Sequence, residues 1–162
     1  MRARYFVVFA AVCAVAAACE NDPIGPQCDE ITSTVARTNG DTVTTTTGLR
    51  YRDVQAGTGP ALESCKAVSL RYIARLENGT VIDSLVTGRS FSFVLGREGE
   101  RSIAGFEEGI VGMRAGGERR LIVPPALGYG AQAQTNPNTG AVVIPANSTL
   151  LFDVRVLQVE AP

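Results

Sequence analysis

Histidine is absent from all 162 residues of this chain. The cysteines are therefore the residues whose type and spacing could support chemistry. Without imidazole there is no histidine general base, no Ser-His or Cys-His nucleophilic pair and no histidine-ligated zinc. No two cysteines form the CxxC pair of a thiol-disulfide oxidoreductase. Any reaction must therefore proceed without a proton relay through imidazole, and we expect no metal and no cofactor.

The first 18 residues are predicted to be an export signal. Arg2 and Arg4 precede an apolar run from Tyr5 to Ala18 that is too short to span a bilayer comfortably. Small residues directly before Cys19 resemble a bacterial lipobox, which predicts that Cys19 is lipidated and becomes the mature N-terminus. Cleavage in an A-x-A context without a lipid, and an uncleaved anchor, are the alternatives. We expect an exported protein of the periplasm or cell envelope that meets the membrane only through this lipid.

The remaining cysteines limit the redox chemistry of the mature chain. Cys13 leaves with the signal, and a lipid would occupy Cys19. An oxidising compartment then favours a disulfide between Cys28 and Cys65, which would tie the tail to the domain. Two free thiols, or pairing with another chain, are the alternatives.

The rest of the chain divides into a tail and one domain. Residues 19–47 are rich in Thr, Asn, Asp, Gly and Pro and poor in aliphatic residues, which predicts a tail. A short edge strand in the run from Thr44 to Thr47 is the alternative to disorder. Residues 48–160 are long enough for one domain and leave no room for a second. The net charge of −1 and the lack of a basic run mixed with aromatics argue against a nucleic-acid partner; a monomer is the default.

Hydrophobic periodicity predicts the elements of this domain. Between Val68 and Leu76 apolar and polar residues alternate, as in a half-buried strand, and Asn78-Gly79 favours a hairpin turn. Further alternation from residue 91 to 95, from 121 to 123 and from 150 to 156 predicts three more strands. One helix is predicted from Phe106 to Met113 by apolar residues at i, i+4 and i+7. The pattern is that of an α+β fold, an antiparallel sheet packed on one short helix.

One stretch of the domain carries a specific resemblance. From Leu95 to Ala131 the sequence runs LGREGERSIAGFEEGIVGMRAGGERRLIVPPALGYGA. Together with ENGTVIDS before it and VIPANSTLLFDV after it, this order of motifs resembles the FKBP-type peptidyl-prolyl isomerases over residues 48 to 159. The resemblance implies a curved antiparallel sheet of five or six strands wrapped around one short helix. It also implies peptidyl-prolyl cis-trans isomerisation, with proline-containing polypeptides as partners.

The resemblance also implies the residues of the site. Asp83 and Tyr129 map onto the catalytic positions, Tyr129 as a hydroxyl donor to the peptide carbonyl and Asp83 as an orienting acceptor. The main chain N–H of Ile103 maps onto a second donor. The substrate-binding positions map onto Tyr72, Ile82, Phe91, Ser102, Ile103, Phe106, Ile144 and Phe152. A non-catalytic binding module with the same pocket is the alternative function.

The sequence departs from the family pattern at two apolar positions and in two loops. Phe106, at the floor, stands where the family usually has Trp, and Ile82 where it usually has Phe, so aromatic contact area is lost. The segment before Ser102 is about two residues longer than the compact pattern, and Ser102 stands where the family usually has an aliphatic rim residue. The loop over residues 131–142 is longer still and is predicted to select substrates or to be a tolerated insertion.

Overall fold

The computed structural model describes residues 28–39, 41–97 and 102–160. The predicted signal peptide and Cys19 lie outside these residues. The described chain forms strands β1 (Val35–Asn39), β2 (Thr42–Thr45), β3 (Arg50–Gln55), β4 (Ala67–Leu76), β5 (Val81–Leu85), β6 (Phe91–Val94), β7 (Glu118–Val123), β8 (Gln134–Thr135), β9 (Val142–Ile144) and β10 (Leu150–Glu160), with helix α1 (Ala104–Ile110) and a 3₁₀ turn at Pro125–Leu127. Within them, no helix is long and apolar enough to cross a membrane.

The strands form one large antiparallel sheet in the order β1-β2-β3-β7-β10-β4-β5, and β6 also pairs with β4. Alternation places apolar side chains of β4 and β10 on the inner face, where Leu70, Val154 and Val156 are almost fully buried. Register pairs Leu70 with Val156 and Tyr72 with Val154, so the inner faces of the two strands are continuous. The predicted α+β architecture is confirmed.

The sheet has more strands than the five or six that were expected. The described part of the large sheet contains eight, because β1 and β2 come from residues that were predicted to belong to the tail. These strands form a hairpin at the edge of the sheet, and β2 pairs with β3 through Val43 and Tyr51. The edge-strand alternative therefore describes this region, although β2 ends at Thr45 rather than Thr47. The sheet begins before residue 48, where the domain was predicted to start.

Helix α1 lies against the inner face of the sheet because two of its residues have no side chain. A Cβ on Gly105 would lie 2.5 Å from Val123 Cγ1, and a Cβ on Gly109 would lie 2.7 Å from Leu121 Cδ1. Glycines four residues apart therefore let the helix backbone rest directly on β7. The helix begins and ends earlier than predicted, since Val111 already leaves the helical backbone conformation.

Arg119 of β7 connects the sheet to the end of the helix. Its guanidinium donates to the carbonyl oxygens of Gly109 (2.8 Å), in the last helical turn, and of Val111 (3.2 Å), directly after the helix. It also donates to Asp53 at 2.6 Å and lies 4.2 Å from the ring centre of Tyr51. One buried arginine thus satisfies orphan carbonyls of the helix, which would otherwise lack partners.

Candidate functional site

The inner face of the sheet and the start of helix α1 enclose a cavity of about 310 Å³. Every side chain that was assigned to catalysis or substrate binding borders it: Tyr72, Ile82, Asp83, Phe91, Ser102, Ile103, Phe106, Tyr129, Ile144 and Phe152. These ten residues come from five strands, the helix, the segment before it and the loop after the 3₁₀ turn. The fold therefore brings together residues that lie up to 80 positions apart, while their roles stay predictions.

The floor of the cavity is aromatic. Phe106 is buried to 2% exposure, and its ring centre lies 5.1 Å from that of Phe152 and 5.9 Å from that of Tyr72. The Tyr72 ring also contacts Phe91 at 6.0 Å, edge to face. Edge-to-face and tilted contacts of this kind hold rings in fixed orientations. The result is a rigid apolar surface at the floor of the cavity.

Two polar side chains are joined at one wall of the cavity. The Tyr72 hydroxyl donates a hydrogen bond to Asp83 Oδ2. Burial raises the pKa of Tyr72 well above its usual range, and the hydrogen bond to the Asp83 carboxylate and the charge of that carboxylate raise it further. Tyr72 therefore stays protonated and keeps Asp83 oriented toward the cavity across the physiological pH range.

Two hydrogen-bond donors remain available at the mouth of the cavity. Tyr129 is 40% exposed, and its hydroxyl has no hydrogen-bond partner among the described residues. The carbonyl of Ile103 accepts the first helical hydrogen bonds, from Phe106 and Glu107, whereas its N–H has no partner in the described chain. A bound peptide carbonyl could accept from either group. The cavity thus combines an apolar floor with donors at its edge.

Sequence reasoning missed Ala74 and Leu150, which also line the cavity, and two glutamates behind it. Glu107 is 3% exposed and its Oε1 accepts the main chain N–H of Ser102 at 2.7 Å. Glu108 is 6% exposed and its two carboxylate oxygens lie 2.8 Å from the Thr47 hydroxyl. Glu107 therefore holds the segment that carries two rim residues, whereas Glu108 holds the turn before β3. The sequence feature that could have identified these glutamates is a pair of adjacent acidic residues in a short helix that is otherwise apolar. A carboxylate near a helix N-terminus interacts favourably with the helix dipole and the free N–H groups there.

The long loop over residues 131–142 contains regular structure. Strands β8 and β9 pair as a hairpin, with Asn136 donating to the Ala141 carbonyl at 2.8 Å. The Asn136 side chain accepts from the N–H groups of Asn138 (2.9 Å) and Thr139 (3.3 Å), which closes the tip. Strand β9 ends at Ile144, which borders the cavity. The insertion is thus physically joined to the cavity wall, while its role in selecting substrates stays a prediction.

The structure places Cys28 and Cys65 next to each other as free cysteines. The hydrogen bond between their thiols is the largest cause of a raised pKa at Cys65, followed by burial. The pair lies outside the cavity, and its disulfide stays a prediction. Among the described residues, no three His, Cys, Asp or Glu side chains lie together as a metal site would require.

A larger cavity of about 400 Å³ has charged side chains at six of its eleven lining residues, five of them on β7 and β10. Most of these charges are paired: Arg120 donates to Asp153 at 2.7 Å, Arg155 lies 3.2 Å from Glu118, and Arg119 bonds Asp53. Aromatic rings and unpaired donors converge in the smaller cavity, which is therefore the candidate site.

Comparison with known proteins shows which family this chain is similar to. The sequence profile described as FKBP-type peptidyl-prolyl cis-trans isomerase matches residues 59–157. FK506-binding protein 4 of Neurospora crassa is 40% identical over 141 residues, 87% of this chain and 28% of that protein. FK506-binding protein 4 of Rhizopus delemar is 44% identical over 113 residues, 70% of this chain and 28% of that protein. The chain therefore spans less than a third of these curated relatives.

Two solved structures share the fold. FkpA from Escherichia coli superposes with a TM-score of 0.63 at 35% identity, covering 76% of this chain and 54% of FkpA. AtFKBP13 superposes with a TM-score of 0.63 at 30% identity, covering 81% of this chain and 98% of AtFKBP13.

Proposed function

Because this chain belongs to the FKBP-type peptidyl-prolyl cis-trans isomerase family, we propose that it isomerises X-Pro bonds in exported polypeptides and so assists their folding. The uncatalysed bond rotates over a barrier of about 20 kcal/mol and takes roughly tens to hundreds of seconds. Rotation breaks the amide resonance and produces a twisted, less polar amide. A cavity that favours this twisted amide over both planar isomers accelerates the exchange without a nucleophile.

The observation that carries the proposal is the convergence of the ten predicted residues on one aromatic cavity. The prolyl ring would lie on Phe106, which water cannot reach once the cavity is filled. The Tyr129 hydroxyl and the Ile103 N–H would donate to peptide carbonyls on either side of the rotating bond. Asp83, held by Tyr72, would fix the wall against which the amide turns.

The experiment is a proline-isomerisation assay of the full exported chain, in which wild type is compared with Tyr129→Phe, Asp83→Ala and Phe106→Trp. Loss of one hydrogen bond worth about 1 kcal/mol in the transition state predicts an approximately fivefold lower kcat/KM for Tyr129→Phe. Tyr51→Phe is the matched control, because Tyr51 is a half-buried tyrosine that packs on Arg119 outside the cavity. An uncatalysed rate in the presence of wild-type protein would rule out the enzymatic proposal.

A second candidate is a non-catalytic binding module that holds unfolded chains or a specific partner in the same cavity. The observation that favours it is the smaller aromatic surface: Phe106 and Ile82 stand where the family usually has Trp and Phe. Wild-type protein that suppresses aggregation of an unfolded client but leaves isomerisation uncatalysed would support this candidate. In that case Phe106→Trp is expected to restore part of the missing isomerase activity.

We also propose that the protein is a bacterial exported lipoprotein, with Cys19 as its lipidated N-terminus. The support is in the sequence, where two arginines, an apolar run and small residues precede Cys19. Mass spectrometry of the mature N-terminus tests this. A diacylglyceryl-modified Cys19 is expected, with Cys19→Ser as the control; an unmodified Cys19 in the mature chain would refute lipidation while leaving export open.

A further inference from the structure

The thiol pair at Cys28 and Cys65 lies where three distant parts of the chain meet. Residues 28 and 97 form an isolated antiparallel bridge, and the Asp29 N–H donates to the Gly96 carbonyl at 2.9 Å. On the other side, the Cys65 N–H donates to the Leu95 carbonyl at 2.9 Å. The turn over residues 95–97 is therefore held between the two cysteine-bearing segments.

The N-terminal segment over residues 28–31 is seated by side chains as well as backbone. The Ile31 N–H donates to Ser64 Oγ at 2.7 Å, and Ser64 Oγ lies 3.4 Å from the Ile31 carbonyl. The Ile31 side chain packs against the hydrophobic core. A Cβ on Gly96 would lie 2.3 Å from the Asp29 carbonyl oxygen, so glycine permits the segment to approach this closely. The position of Cys28 beside Cys65 thus follows from several contacts.

The backbone of Cys65 supplies an independent observation. Its φ is +66°, a left-handed conformation that glycine or asparagine usually adopts. A cysteine in this conformation accepts a backbone penalty. Its backbone is bonded to Leu95, in the same turn to which the backbone of Cys28 is bridged at Arg97.

We propose that Cys28 and Cys65 are an oxidation site, forming a disulfide clasp that fixes residues 28–31 across the 95–97 turn. The two S–H bonds break and one S–S bond forms. Two electrons and two protons pass to a disulfide of glutathione or of a protein oxidant, whose S–S bond breaks to give two thiols. Oxidation is expected to be faster at higher pH, since the thiolate is the nucleophile. Hydrogen bonding to Cys28 and burial raise the pKa of Cys65, and the opposing charge of Arg97 does not outweigh them.

The test equilibrates the full chain with a graded glutathione redox buffer, alkylates free thiols and maps linked peptides without reduction. The expected result is one linked peptide pair containing Cys28 and Cys65, absent from Cys28→Ser and from Cys65→Ser. Ser64→Ala is the matched variant, because it leaves both thiols in place but removes the contact that seats Ile31. It is expected to lower the disulfide equilibrium constant about fivefold, the factor for one hydrogen bond.

Isomerase activity provides a second readout that separates this proposal from the proposed function. Because the clasp lies outside the cavity, kcat/KM is expected to change less than twofold between oxidised and reduced wild type. Wild-type protein with both thiols alkylated under oxidising buffer, or with Cys28 linked only to a second copy, would overturn the clasp. Either result would leave the isomerase proposal standing.

Discussion

Replacing Glu107 with leucine tests whether a residue behind the candidate site positions its rim. Leucine has a similar volume but cannot accept the hydrogen bond from the Ser102 N–H, which is 2.7 Å from Glu107 Oε1. A partly buried N–H that loses its partner costs about 1–2 kcal/mol. For a domain of this size that loss lowers Tm by about 4–8 °C.

The effect on activity follows from the position of Ser102 directly before Ile103, whose N–H is free to donate to substrate. If an ordered rim contributes about 1 kcal/mol to transition-state binding, kcat/KM falls about fivefold in Glu107→Leu. Glu107→Gln keeps an acceptor at the same place and is expected to stay within about twofold of wild type.

Glu108→Leu is the matched control, because Glu108 is an adjacent buried carboxylate that binds Thr47 instead of the rim. It is expected to lower Tm by a similar amount and to leave kcat/KM within about twofold of wild type. The assay is X-Pro isomerisation at a temperature where all variants are folded. An equal loss of kcat/KM in Glu107→Leu and Glu108→Leu, or none in either, would refute a positioning role for Glu107.

Three further predictions concern stability. Arg119→Met leaves two carbonyls at the end of the helix without donors and removes an ion pair, so urea unfolding is expected to show a loss of about 2–4 kcal/mol. Gly96→Ala introduces a Cβ at φ +82° and 2.3 Å from a carbonyl oxygen; a loss of about 1–3 kcal/mol and less disulfide formation are expected, and an unchanged urea midpoint would contradict this. Burial alone would raise the pKa of Asp153, but hydrogen bonds and charge from its two arginine partners outweigh burial and lower it. The stabilising contribution of Asp153 is thus complete above the unfolded pKa of about 3.9 and is lost as the pH falls below it. Asp153→Asn is therefore expected to lower the free energy of unfolding at pH 7, and this difference from wild type is expected to shrink below about pH 4.

The sequence predicted the elements that alternate strictly. Strands β4 and β10 are half-buried on one face, so period-two patterning identifies them and places their inward residues. The strands β1 and β2 were assigned to the tail because a polar edge hairpin contributes little apolar surface to the core. Their pairing depends on β3, which is a tertiary contact that local patterning does not contain.

The site was predictable only through the ordered motifs of the family. Tyr129 and Asp83 alone fit a turn residue and a cap, and nothing in their spacing places them on one cavity. Glu107 was missed because its burial departs from what a charged residue normally shows. A charged residue is normally expected on a solvated face, whereas this helix is so short and so enclosed that its carboxylates are buried against backbone N–H and hydroxyl donors.

If the proposed lipid anchor is present, the place where residues 28–31 attach to the domain limits how far the domain can lie from the membrane. If Cys19 carries a lipid, nine chain steps lead to Cys28, at most about 30 Å when fully extended. Releasing residues 28–34 moves the attachment to Val35, sixteen steps from the lipid and at most about 55 Å. The clasp would therefore change the maximum distance between the bilayer and the cavity. That distance would in turn set the local concentration of any polypeptide substrate that emerges from the membrane.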